Sequence, residues 1–550
     1  MYGTIEIHKT KKRTRALVVA LILLLLAVLY LFYAHFTISS SPVLELSVND
    51  YQLLKQPTAY KSHNGVLEAT LTMQTTRFQN GPVAFNTRTY NGMFPGPTLC
   101  VKPGDTMRIT LINQLLPDGD EGMINTMHNP NTTNLHVHGM HVSPSGLSDN
   151  VLRKDASGES LDMVIEIPKD HPLGIYHYHP HYHGSVFVQM GGGMVGAISV
   201  QEDTTEVDSV LILQSFSFEG DILGNLDDAA KVSNSSLLMN AALTNQAHQR
   251  IADFFPDYQP RYHAQVKDHP PFYIVNGQYL PRIPLQECER KAFYIVNGGP
   301  TDILQLHVPG CSMEVFSKDS FPPANKHPKY VVVPPGGRVG IIFECQLNGK
   351  PSGVFPLVSL PHHKDDDYMG KDTDIYHGVL ALFHVEPAIK PLLSNPPMVV
   401  NEMNDLSNIK PQDEHIERFV MKFSSGSDEI RNGVVYTKFL MNDHSFSMDH
   451  KYQMKLNVLQ EWTLMVEPIK KGKWNHPFHI HTNPFQIIEI TPGKDIDYSV
   501  GDWRDTITLP LNGNVTIRFR PVDFTGMIVA HCHIVGHSDA GMIMLIEITP

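Results

Sequence analysis

The chain is 550 residues long, with 42% apolar and 18% charged residues and a formal net charge of −13. This length predicts several domains, and the composition supplies ample core, which excludes an intrinsically disordered chain. The acidic balance argues against a nucleic-acid partner, because phosphate contacts need Lys and Arg in excess.

At the N-terminus, Lys9, Lys11, Lys12, Arg13 and Arg15 precede an uncharged apolar run over residues 16–34. About 20 apolar residues span a bilayer as a helix, so this run is just sufficient. The basic flank predicts a cytoplasmic N-terminus and a body outside the cytoplasmic membrane, periplasmic or extracellular. A cleaved signal peptide is the rival reading, but the run is long for one and no clear small-x-small site follows it. Residues 1–40 are therefore expected to form a basic tail and one transmembrane helix. A helix of a globular core fits poorly, because the run is apolar on every face.

From there on the chain reads as short strands punctuated by Gly, Pro and Asn, the pattern of β-sandwiches or barrels and not of alternating βα units. Residues 101–113, Val-Lys-Pro-Gly-Asp-Thr-Met-Arg-Ile-Thr-Leu-Ile-Asn, form one such strand region. His136-Val137-His138 and His179-Pro180-His181 follow, each placing two imidazoles on one strand face, close enough to serve adjacent metals. A single pair of this kind is weak evidence, since isolated histidines are more often structural.

In the middle third, residues 286–297 repeat the 101–113 strand, and residues 306–313 (Leu-His-Val-Pro-Gly-Cys-Ser-Met) repeat residues 135–142 (Leu-His-Val-His-Gly-Met-His-Val). His307 stands where His136 does, but Pro309 replaces His138, so the middle copy has lost its metal pattern. Residues 226–251, rich in Ala, Leu, Asn and Gln, predict a helical insertion. Residues 362–377 carry carboxylates, imidazoles and Met369 and read as a solvated hairpin loop, with metal docking as the alternative. Cys100, Cys288, Cys311 and Cys345 allow up to two disulfides in an oxidising compartment, with free buried thiols as the alternative.

The last third repeats the strand more loosely over residues 458–467 and adds His476-Pro477-Phe478-His479-Ile480-His481. Three related domains follow from these repeats, over residues 41–204, 205–390 and 391–550, the middle one a spacer without metal ligands. Residues 531–542, His-Cys-His-Ile-Val-Gly-His-Ser-Asp-Ala-Gly-Met, carry the most information. On a strand Cys532 faces one way and His531 and His533 the other, so one strand can touch two metal sites. Cys532, His537 and Met542 form the Cys-His-Met part of a blue-copper site, which needs one more His. A structural zinc cluster is the plainer alternative, but zinc favours closed sets of four ligands and has no redox use for a shared Cys.

Together the four His-bearing segments resemble the four copper motifs of the multicopper oxidases, the family of laccases, ascorbate oxidase and bacterial copper-resistance oxidases. The resemblance runs from about residue 75 onward and includes Asn91-Gly-Met-Phe-Pro-Gly-Pro97. It implies an all-β fold of three consecutive cupredoxin-like Greek-key β-sandwich domains behind the N-terminal helix. It also implies four copper ions. His476, Cys532 and His537 would bind the type 1 copper, with Met542 as the weak axial partner. His136 and His479 would bind the type 2 copper, and His138, His179, His181, His481, His531 and His533 the type 3 pair. Asp149 stands where the family carries an acid after its first motif, which implies a catalytic proton donor; as a sequence feature it also reads as a turn residue in Ser-Asp-Asn.

Departures from the family pattern are local. The family usually has an aromatic residue, commonly Trp, where this chain has Val137 and His177, both supporting positions and not ligands. His183 extends the second motif and reads as a surface or supporting residue. Val535 and Ser538 occupy the positions where several relatives carry a proton-relaying Glu.

The activity implied is the coupling of four one-electron oxidations of a phenol, or of Cu(I), Fe(II) or Mn(II), to reduction of dioxygen to water. A copper-storage protein would use the same ligands without turnover, but it has no use for a covalent bridge between sites. A copper nitrite reductase shares the type 1 site, but the paired His-x-His motifs and the second His of His-Cys-His belong to a trinuclear cluster.

Overall fold

In the strand Val66–Asn80, Leu67, Ala69, Leu71 and Met73 are buried while Glu68 and Thr70 face solvent, the period of two that a half-buried strand requires. Its parallel neighbour Thr106–Asn113 buries Met107, Ile109 and Leu111 on the same face. Both faces join one core with Leu99, Val101, Tyr176, Tyr178 and Ile198 from a second sheet. Each side chain fully buried this way contributes about 1.5–3 kcal/mol, so the alternation alone drives two sheets together.

The computed structural model describes residues 51–80, 83–119, 122–205, 209–216, 272–360, 378–388, 401, 403–431, 434–467, 476–491 and 498–550. All belong to one unit, Leu46–Pro550. The N-terminal anchor, the helical insertion over 226–251 and the segment 362–377 lie outside the described residues. No helix among the described residues is long and apolar enough to cross a membrane.

The described chain is all-β, in six sheets that form three similar pairs. In each pair one sheet is built on two parallel neighbours: Val66–Asn80 with Thr106–Asn113, Val210–Phe216 with Lys291–Asn297, and Ile416–Arg431 with Leu459–Val466. The second member of each couple lies within or beside the repeated strand read at residues 101–113, 286–297 and 458–467. The other sheet of each pair carries the second repeat. His136–His138, Leu304–His307 and Pro477–Ile480 each pair antiparallel with a longer strand: Gly174–His179, Gly353–Ser359 and Gly526–Cys532. The rings of Phe293, Phe343 and Phe383, packed at tilted angles, join the two middle sheets, and the core around Trp462, Phe478, Ile517 and Cys532 joins the last two.

Two details go beyond the sequence reading. Leu53 bridges to Arg282 and the Leu54 N–H donates to the Arg282 carbonyl at 2.8 Å, so this stretch runs along the middle sandwich although it precedes the first. One disulfide forms, Cys311–Cys345, across directly opposed positions of the strands Cys311–Lys318 and Arg338–Cys345; Cys100 and Cys288 are not disulfide-bonded.

The first and last sandwiches are tied by side chains at their boundary. The buried Asp539 carboxylate, in the short helix Val535–Asp539, accepts the Gly184 and Phe187 N–H groups at 2.7 and 2.8 Å. This satisfies free donors at the start of helix Val186–Gly191. His141 spans the same boundary, with Nδ1 at 2.8 Å from the Thr482 carbonyl and Nε2 at 3.0 Å from Asp523.

Candidate metal centre

Strand register brings the motifs together. His136 lies opposite His179 and His138 opposite His177 in the first sandwich, while His479 lies opposite His531 and Phe478 opposite Cys532 in the last. Because side chains alternate along Gly526–Cys532, His531 faces the first sandwich and Cys532 faces the core of its own.

One group comprises His476, Cys532 and His537, with donor atoms within 4.8 Å of one another. The Cys532 Sγ lies 3.5 Å from His476 Nδ1 and 3.6 Å from His537 Nδ1, and the two Nδ1 atoms are 3.2 Å apart. Met542 is fully buried in the same core, and its backbone bonds to both neighbours: Cys532 N–H to Met542 C=O at 3.1 Å, and Met542 N–H to His537 C=O at 2.9 Å. Phe439 stacks on His537 with centroids 4.0 Å apart. Burial pushes the Cys532 thiol far above its usual range and the His476 imidazole down to about 3. A thiol so placed ionises only against a bound cation.

Across the boundary lie His138, His177, His179 and His533 in one group, His136, His138 and His479 in a second, and His181, His481 and His531 in a third, all buried. His136 stacks on His481 at 3.8 Å and His138 on His479 at 3.7 Å, so imidazoles of the two sandwiches interleave. Their tautomers are set from outside. The Nδ1–H of His136 donates to Asp149 at 2.9 Å, that of His179 to the Pro180 carbonyl at 2.8 Å, that of His479 to the Asp505 carbonyl at 2.9 Å and that of His531 to the Cys532 carbonyl at 3.0 Å. Each Nε2 is thereby left as a lone pair. The Nε2 atoms of His136, His179 and His479 have no hydrogen-bond partner, and the Nε2 of His181 lies 3.1 Å from that of His531 and 3.2 Å from that of His481. Lone pairs converging in a buried space repel one another unless cations sit between them. Burial and neighbouring imidazoles hold these histidines well below their usual range, with His179 and His531 down to about 4, so the neutral ligand form prevails at neutral pH. The donor set fits copper ions.

Asp149 is buried beside this cluster, and burial raises its carboxyl well above the usual range. It also accepts the Val137 N–H at 3.0 Å, so it is more than a turn residue. His183 belongs to none of the groups and contacts Asn125 at 3.0 Å and Phe446. His177, read from sequence as a supporting position, lies within a donor group.

A further set went unread in the sequence. Arg338 forms a two-pronged pair with Asp505 at 2.6 Å for each bond and lies 3.5 Å from Asp319. The Thr506 hydroxyl is 3.1 Å from both His138 Nε2 and His479 Nδ1. Burial raises the Asp505 carboxyl to about 6, against the opposing pull of Arg338. Arg338 and Asp319 come from the middle sandwich, which therefore does more than separate the other two. The available signal was the loop Pro334-Pro335-Gly336-Gly337-Arg338. A Cβ on Gly336, whose φ is +78°, would stand 2.5 Å from His533 Nε2, so only glycine lets this backbone approach the cluster.

Architecture and site together define a cupredoxin-like, multi-domain copper protein with two adjoining metal centres. Family models described as multicopper oxidase match residues 71–205 and 414–550, the segments that hold every expected ligand, and the chain belongs to the multicopper oxidase family. The multicopper oxidase mco of Staphylococcus aureus is 23% identical over 496 residues, covering 89% of this chain and 90% of that protein. Among solved structures, a Campylobacter jejuni multicopper oxidase described as a metallo-oxidase superposes with a TM-score of 0.65 at 22% identity, covering 93% of this chain and 98% of that one. The laccase-like CueO of an Ochrobactrum species gives 0.63 at 20% identity, over 90% and 100%. These structures share the fold.

Proposed function

We propose that the chain couples four one-electron oxidations of a phenol or a reduced metal ion, such as Cu(I), Fe(II) or Mn(II), to the four-electron reduction of dioxygen to water. The observation that carries this reading is Cys532, bonded through its backbone to His531 and His533 while its sulfur lies in a separate donor group. When bound, copper supplies the one-electron redox steps and the centre at which dioxygen is reduced. His476, Cys532 and His537, with Met542 buried in the same core, would hold the type 1 ion. His136 and His479 would hold the type 2 ion, and His138, His179, His181, His481, His531 and His533 the type 3 pair. Asp149 orients His136 through Nδ1, and burial raises the affinity of its carboxyl for protons beside the cluster. A storage role leaves the covalent link between the two groups without a use.

The finer architecture belongs to the same proposal: three cupredoxin-like domains over residues 41–204, 205–390 and 391–550, behind a membrane anchor at residues 16–34 that holds the body outside the cytoplasm. The basic flank of the apolar run supports that orientation, and the Cys311–Cys345 bridge suits an oxidising compartment. The test of function is dioxygen uptake by the copper-loaded chain with each donor in turn. Uptake with one dioxygen consumed per four donor electrons supports the oxidase, whereas copper bound without uptake for any donor supports storage.

A further inference from the structure

His177 and His179 lie two apart on the strand Gly174–His179 and share one face, and His177 sits directly opposite His138 in the ladder. Backbone register thus delivers a further imidazole to the group formed by His138, His179 and His533. Its donor atom lies within 4.8 Å of theirs, and its ring centroid stands 4.2 Å from that of His138 and 5.2 Å from that of His179.

Its surroundings separate it from a packing residue. His177 has no solvent exposure, and neither ring nitrogen has a hydrogen-bond partner. A neutral imidazole always presents one donor and one lone pair, and burying both unmet is unfavourable. A hydrophobic aromatic ring would fill the same space without that cost. The imidazole is explained if its lone pair meets a metal ion. His179 is anchored through Nδ1 on the Pro180 carbonyl and His138 through Nε2 on Thr506 at 3.1 Å, but nothing holds the second nitrogen of His177. An unanchored ring is a weaker and more readily exchanged ligand than an anchored one.

We propose that His177 is a fourth, exchangeable imidazole ligand to the copper held by His138, His179 and His533. The proposal rests on the trinuclear reading above. It gives that copper a ligand in reserve, so that loss of one imidazole does not empty the position.

The test compares the full-length, copper-loaded protein with His177→Phe, His179→Ala and the double variant, by metal analysis during exposure to a copper chelator and by the blue absorption of the type 1 site. In His177→Phe one copper per chain is expected to leave about tenfold faster while the blue band is unchanged. His179→Ala should retain that copper before chelation, and the double variant should lack it. Equal rates in His177→Phe and the intact protein, with the double variant no worse than His179→Ala, would overturn the proposal. A crystal structure of the copper-loaded intact protein decides independently of how the variants fold: a His177 nitrogen bonded to copper supports the ligand, and a ring clear of copper overturns it. An intact protein that loads a single copper would instead overturn the trinuclear reading itself.

Discussion

Cys532 is where electron entry and the trinuclear cluster meet. Replacing it with Ser should abolish blue absorption and substrate oxidation together while the remaining coppers stay bound; a Cys532→Ser protein that keeps its colour contradicts the assignment. Arg338 sets the second residue-scale expectation. Arg338→Ala leaves the Asp505 carboxylate buried without its partner, a loss of about 3–5 kcal/mol. Urea unfolding should register it, and copper analysis should show losses at the trinuclear site with the blue band retained. Acid sensitivity also begins with single residues. His476, His179 and His531 are held at about 3 to 4 in the folded chain, against about 6.5 unfolded. The unfolded state therefore binds more protons below that value, and the stability of the metal-free protein is complete above about pH 6.5 and lost progressively as pH falls toward 4. A denaturation midpoint for the metal-free chain that does not move between pH 7 and 4.5 would contradict this.

Strands carried most of what the sequence revealed. The repeats at 101–113, 286–297 and 458–467 were legible because a sheet imposes a fixed alternation, and the same alternation placed Cys532 and His531 on opposite faces. Loops were less legible. Asp505 and Thr506 lie far along the chain from Arg338 and meet it only through the docking of sandwiches, which no periodicity records. The Gly336 loop illustrates the cost of that docking. Gly336→Ala puts a methyl at 2.5 Å from His533 Nε2 on a backbone with φ +78°, so copper loading should fall while the type 1 absorption survives; full loading would contradict the close approach. The Cys311–Cys345 bridge closes a loop with a sequence separation of 34. Its removal by Ser substitutions should lower stability by about 4 kcal/mol on loop entropy with copper content unchanged, as calorimetry and metal analysis would show.

At the scale of the molecule, the three groups of imidazoles assembled at the boundary draw on two sandwiches from opposite ends of the chain, with Arg338 of the middle one bonded to Asp505 beside them. The clusters themselves could be read in sequence because metal ligands must be His and Cys at strand spacing; their mutual placement could not. The proposed anchor is testable apart from the chemistry: deleting residues 1–38 should release an active protein from the membrane fraction, since no copper motif lies in that segment of the sequence. The most direct measurement is an anaerobic reductive titration of the copper-loaded chain, followed by admission of dioxygen. Uptake of four electrons per chain, with the blue colour restored by one dioxygen and water as the product, is expected. Bleaching complete after a single electron, with no return of colour on exposure to dioxygen, would contradict the coupling of the two sites.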